Sequence, residues 1–125
     1  MKTVATPTHL LLYVDNAAAS GRFYADLLDL TPMDVSDTFV LFTLPSGMFL
    51  ALWSRDAVLP ATTTTGGGTE ILFRAPDHAT LQAMHDDWAA RGIAIIQPPT
   101  DQDFGRSFVA TDPDGHRLRV MVRSA

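Results

Sequence analysis

The chain of 125 residues contains no cysteine. That removes a disulfide framework, a thiolate nucleophile and any cysteine-built metal centre. Positive charge is scarce as well: 9 Lys and Arg stand against 14 Asp and Glu, for a formal net charge of −5. A surface of that sign does not draw in nucleic acid or an anionic membrane, and neither is expected as a partner. No apolar run approaches a membrane span, and the amino terminus lacks the basic-then-apolar pattern of a signal peptide, so a cytoplasmic protein is expected. No Ser-His-Asp arrangement, pair of catalytic carboxylates or dinucleotide fingerprint is visible. Gly66-Gly67-Gly68 hints at phosphate cradling, but no strand, loop and helix with a Lys surrounds it.

What is present is ordinary for a globular domain, at 46% hydrophobic and 18% charged residues. The length suits one domain spanning 1–125. Thr8 to Val14 is a short apolar run bounded by Pro7 and Asp15-Asn16, which predicts a strand. Asn16 can cap a helix through Leu28, with Phe23, Leu27 and Leu30 as its apolar stripe. Pro32 to Val35 predicts a short edge strand, Thr38 to Leu44 a strand, Pro45-Ser46-Gly47 a turn, and Met48 to Ser54 the return. Between Arg55 and Gly68 the composition shifts to Pro, Thr and Gly, the signature of a flexible linker or mobile loop.

The same grammar then repeats. Thr69 to Ala75 predicts a strand, Asp77 caps a helix to about Arg91, and Gly92 ends it. Ile93 to Ile96 predicts a short strand, Pro98-Pro99 opens a loop, and Phe104 to Val120 closes the chain as a β-hairpin about an Asp-Pro-Asp-Gly turn. Laying THLLLYVDN over TEILFRAPD pairs His9 with Glu70 and cap Asn16 with cap Asp77. PSGMFLAL over PDGHRLRV pairs Ala51 with Arg119, the offset having grown because the second half has a longer loop before its hairpin. Two βαβββ modules are therefore expected, the first at about 7–54, a linker at 55–68 and the second at about 69–123. The fold class is α+β: a curled mixed sheet making a half-barrel cleft, with helices on the convex side.

Strand parity sorts the side chains into two faces. Leu10, Leu12, Val14, Leu50, Leu52, Ile71, Phe73, Leu118 and Val120 are uniformly apolar and belong under the helices. His9, Leu11, Tyr13, Phe49, Ala51, Trp53, Glu70, Leu72, Arg74, Arg117, Arg119 and Met121 face the other way. That mixture of aromatic, apolar and a few charged groups is the make-up of a small-molecule pocket; the alternative is a coated, solvated sheet face. Tyr13, Phe49 and Trp53 are candidate ligand-binding residues, or else dimer and loop contacts. Trp88 matches Leu27 in the repeat and is expected in the core. His78 and His85 lie on the second helix and are expected at solvent or the helix–sheet seam, and His116 is expected to be a hairpin residue.

The two-module pattern, RFYADLLDL after the first strand and the ending GRSFVATDPDGHRLRV, resembles the vicinal oxygen chelate superfamily of glyoxalases, bleomycin-resistance proteins and extradiol dioxygenases. The resemblance covers essentially the whole chain. Within the superfamily, FLALWS, FGRSF and DPDGHRLRV resemble its antibiotic-binding members. What it implies is binding of an aromatic compound such as an antibiotic in the cleft of a homodimer, without metal or other cofactor. Phe104 and Arg106 flank a glycine in the loop before the hairpin and either shape that loop or, as the resemblance implies, rim the pocket.

Metal-using members place ligands at positions that correspond here to His9, Ala51, Glu70 and Arg119. His9 and Glu70 are able to bind a divalent ion. Ala51 has no ligand atom, and Arg119 is a fixed cation with donors only. Arg119 would then stand in for the missing cation, pairing with Glu70 or offering its fork to an acidic or carbonyl group of the ligand; a purely structural ion pair is the other reading. The alternative function is a metal-dependent lyase or dioxygenase, or an isomerase using His9 and Glu70 as acid and base. A third is an interaction module with a filled cleft.

Overall fold

Six residues, His9–Val14, make up β1 in the computed structural model, which describes residues 5–124. The elements follow the order β1, α1 (Ala17–Leu28), β2 (Asp34–Val35), β3 (Phe39–Thr43), β4 (Phe49–Ser54), β5 (Glu70–Arg74), α2 (His78–Ala90), β6 (Ile95–Gln102), β7 (Gly105–Thr111) and β8 (Arg117–Arg123). The chain divides into two compact units, Met1–Gly66 and Gly67–Ala125. Each is one βαβββ module, so the α+β repeat expected from the sequence is present. Each also builds its own four-stranded mixed sheet, in the orders β1-β4-β3-β2 and β5-β8-β7-β6. β1 runs parallel to β4 and β5 parallel to β8, because a helical crossover separates the members of each pair.

In the first unit α1 starts where Asn16 Oδ1 accepts the Ala19 amide at 3.0 Å, and it ends at Asp29 in the left-handed region, φ 53°. Its buried face is Ala17, Ser20, Gly21 and Tyr24. This corrects the expected stripe of Phe23, Leu27 and Leu30, which are only half-buried. The reason is closeness: a Cβ on Gly21 would lie 3.0 Å from a Val40 methyl, so small residues admit the helix to the sheet and Tyr24 fills the space beyond them. Leu12, Val14, Val40, Phe42, Leu50 and Leu52 form the sheet side of this core. Burying each such side chain contributes about 1.5–3 kcal/mol.

The second unit repeats the plan. Asp77 Oδ1 accepts the Thr80 amide at 2.7 Å to cap α2, and Gly92 follows the helix at φ 80°. Trp88, expected in the core, is buried there, edge-on to both Phe73 and Phe108. His85 sits at the seam against Phe108, and His78 is exposed.

One local expectation is corrected. β6 runs from Ile95 to Gln102, straight through Pro98-Pro99, where a loop was expected. It is the edge strand of its sheet, and the pairing with β7 shifts register between Ile95 and Thr100, so proline rings cost few ladder bonds. Residues 55–68 join the two units. A 3-10 turn at Arg55–Ala57 opens this stretch, and Val58 is buried, so the linker is anchored at its start. No helix among the described residues is long and apolar enough to cross a membrane.

Candidate functional site

Each sheet has one face against its helix and one face turned away, and the candidate residues lie on the second. In the first unit the cross-strand register arranges that face as three rows over β1, β4 and β3. One row is Tyr13, Trp53 and Phe39. The next is Leu11, Ala51 and Leu41. The last is His9, Phe49 and Thr43. Trp53 stands edge-on between its neighbours, with ring centroids 6.5 Å from Tyr13 and 6.3 Å from Phe39. His9 stacks on Phe49 at 4.6 Å and 18°, and its Nδ1 lies 2.7 Å from the Thr8 hydroxyl. Tyr13, Phe39, Phe49 and Trp53 are all half-buried, so ring edges and faces remain open.

The corresponding rows of the second unit are Arg74, Met121 and Ser107; Leu72, Arg119 and Val109; and Glu70, Arg117 and Thr111. Here the centre is polar. Arg119 presents its planar fork to Glu70, with Nε donating to Oε2 at 2.9 Å and Nη2 to Oε1 at 3.0 Å. Its Nη1 donates to Ser107 Oγ at 2.9 Å and Gln102 Oε1 at 3.2 Å, and reaches Gln97 Oε1 at 3.5 Å. The Ser107 hydroxyl in turn donates a hydrogen bond to Gln102 Oε1 at 2.8 Å. The Phe104 ring lies 5.8 Å from the guanidinium carbon. The hydrogen bond from Arg119, then the charges of Arg119 and Arg117, hold the Glu70 carboxyl below its usual range against a partial burial that pushes it up. The guanidinium is raised in turn, chiefly by its hydrogen bond to Glu70.

These contacts decide which candidates come together. Tyr13 and Trp53 meet, Glu70 and Arg119 meet, and Phe104 joins the latter pair. Arg106 does not. It lies within β7 rather than in a loop, opposite Val122 and so on the helix-bearing parity, and it pairs with Asp101 at 2.9 Å. Of the two, only Phe104 lies in the turn between β6 and β7, beside Asp103. Phe39, Leu41, Ser107, Gln97 and Gln102 were missed by the sequence reading. Period-two alternation extended to β3 and β7 finds the first three, whereas Gln97 and Gln102 were hidden by the loop assigned to Pro98-Pro99.

The four ligand positions of metal-using relatives do not fit an ion in this chain. Ala51 offers no donor atom, Arg119 is a cation, and both Glu70 oxygens already accept from that cation. Among the described residues no three His, Cys, Asp or Glu side chains cluster to hold a metal.

Comparison with known proteins agrees with this architecture. The Glyoxalase/Bleomycin resistance protein/Dioxygenase superfamily model matches residues 6–120. The phenazine antibiotic resistance protein EhpR of Enterobacter agglomerans is 30% identical over 122 residues, covering 92% of this chain and 90% of that one. Among solved structures, the NMR structure of protein ATC0852 from Agrobacterium tumefaciens is 44% identical, covers 98% of this chain and 100% of that one, and superposes with a TM-score of 0.89. A glyoxalase/bleomycin resistance protein/dioxygenase from Nocardioides shares the fold at a TM-score of 0.84 and 24% identity, covering 98% of this chain and 86% of that one.

Proposed function

Given that the chain belongs to the glyoxalase/bleomycin resistance protein/dioxygenase superfamily, we propose that it is a metal-free cytoplasmic binding protein that sequesters a planar aromatic compound, such as an antibiotic, and acts as a homodimer. The observation that carries this reading is the row Tyr13, Trp53, Phe39: three half-buried rings across adjacent strands, edge-on to one another. Rings held this way are preorganised, so a flat ligand stacking on them gains about 0.5–1.5 kcal/mol beyond simple area burial. Phe49 beside His9 extends the platform, and buried Ala51 keeps its middle low. The relationship to a phenazine resistance protein supports the same ligand class. Glu70, Arg119 and Phe104 are assigned to ligand binding on the second unit, with Arg119 acting through the shape of its hydrogen-bonded network. Leu11, 41% exposed on the first unit's open face, provides apolar area for a second copy to cover.

Tryptophan fluorescence tests the proposal, because the chain has only Trp53 on the open face and Trp88 in the core. Phenazine is expected to quench wild-type emission saturably, and Trp53→Phe to remove most of the quenching while Trp88 emission persists. Saturable quenching that survives in Trp53→Phe would place the ligand elsewhere, and no quenching at millimolar phenazine would reject an aromatic ligand of this kind.

A further inference from the structure

Most arginines of this chain are already engaged. Arg119 spends its fork on Glu70, with Arg117 4.0 Å from the same carboxylate. Arg106 pairs with Asp101, Arg91 with Asp87, and Arg55 with Asp15. Among the described residues the guanidinium groups of Arg22, on α1, and of Arg74 and Arg123 have no ion-pair or hydrogen-bond partner, and it is Arg74 and Arg123 that share a site. They stand on neighbouring strands at the same end of the second sheet's open face, where Arg74 is opposite Met121 and Arg123 lies two residues further along β8. With Leu72, Phe104, Met121 and Ser124 they line a cleft of about 500 Å³. A second cleft of about 320 Å³, at Ala75, Pro76 and Val122, has the same two arginines in its wall.

We propose that this cleft is a subsite for the carboxylate of a flat aromatic acid, with Arg74 and Arg123 taking the anion and Phe104, Leu72 and Met121 taking the ring system. The inference rests on the reading of the protein as a binder of aromatic compounds and adds to it a place for organic anions on the second unit, which the aromatic row of the first unit does not supply. The chemistry of the lining carries it. Leu72 and Phe104 are 50% and 44% exposed, an apolar surface that a ring can cover. Guanidinium is planar, always charged and weakly hydrated, so it loses little by leaving water for a carboxylate, which it grips with two parallel hydrogen bonds. Two such groups without an internal acid leave an excess of positive charge in a protein whose overall charge is −5. Arg119, which the sequence suggested for this task, has no free fork to offer.

Calorimetric titration of the full chain with phenazine-2-carboxylate and with phenazine-2-carboxamide, at pH 7 and low salt, tests the proposal. The acid is expected to bind at least about tenfold more tightly than the amide. In Arg74→Gln/Arg123→Gln the ratio should collapse toward one. Both arginines are exposed, so thermal unfolding is used to check that the variant is folded, and either single variant serves in its place if it is not. Equal binding of acid and amide to the wild type would overturn the subsite while leaving the aromatic reading standing. So would an acid preference that persists without the two arginines. Binding of neither compound would overturn both.

Discussion

Row for row, the two open sheet faces occupy the same grid with opposite chemistry. Tyr13, Trp53 and Phe39 in the first unit correspond to Arg74, Met121 and Ser107 in the second, and Leu11, Ala51 and Leu41 to Leu72, Arg119 and Val109. The helix-facing sides are nearly interchangeable, Leu10, Leu12 and Leu50 answering to Ile71, Phe73 and Leu118. A duplicated scaffold therefore keeps the side that holds its helix and varies the side that meets a ligand. The first face is an aromatic platform. The second is a guanidinium wired into carboxylate, hydroxyl and amide groups, with two uncommitted arginines beyond it.

The largest effect expected is a backbone one and concerns the second unit alone. Gly105 sits at φ 140°, and a Cβ there would drive into the Val122 carbonyl oxygen and crowd the Ser124 amide at 2.9 Å. Gly105→Ala should cost on the order of 4 kcal/mol or more, because strand backbone rather than a flexible side chain must move. Gly47 in the first unit has φ 95° with open space around it, so Gly47→Ala should cost only about 1–2 kcal/mol. Urea unfolding of the two variants measures the contrast, and equal losses would contradict it.

Next in size is a transplant. Ala51→Arg puts the second unit's cation at a fully buried point of the first, beside Leu11 and Leu41. It should destabilise by about 3 kcal/mol, from overpacking and an unpaired charge. His9 occupies the place that Glu70 holds in the second unit, diagonal to the central residue. Adding His9→Glu to Ala51→Arg should recover at least about 1 kcal/mol. No recovery would mean that the two grids are not equivalent.

The smallest effect is titrimetric. Glu70 has its carboxyl lowered from an ordinary value of 4.5, so the folded state binds that proton more weakly than the unfolded chain does. The stabilisation is complete above about pH 4.5 and is lost as pH falls through the lowered value. Wild type should exceed Glu70→Gln in stability by about 1 kcal/mol at neutral pH, the pair being partly exposed. The gap should close as pH falls below 4.5 and through the lowered value. A gap independent of pH would assign the stabilisation to shape rather than charge.

Much of this was legible beforehand, and the exceptions share a cause. Helix caps Asn16 and Asp77, the succession of elements along each module and the pairing of Ala51 with Arg119 are local patterns, readable from spacing and turn residues. The α1 stripe was misjudged because hydrophobicity ranks Phe23 and Leu27 above Ser20 and Gly21, whereas the approach to Val40 rewards small size. β6 was cut short because Pro98-Pro99 breaks an interior strand but not a bulged edge. Arg106 is a rim residue only by resemblance, because the start of β7, and hence its parity, depends on pairing with β8.

Sequence alone determined the duplicated βαβββ scaffold and which strand face each alternating residue takes, because period-two patterning and capping are properties of neighbouring residues. Tertiary structure decided what the cations do. Whether a guanidinium is saturated or available depends on groups far along the chain: Arg119 meets Glu70, Ser107, Gln102 and Gln97, and Arg74 and Arg123 meet no acid among the described residues. Hydrogen bonds form across distances of about 3 Å, and only the folded register brings donors and acceptors that close.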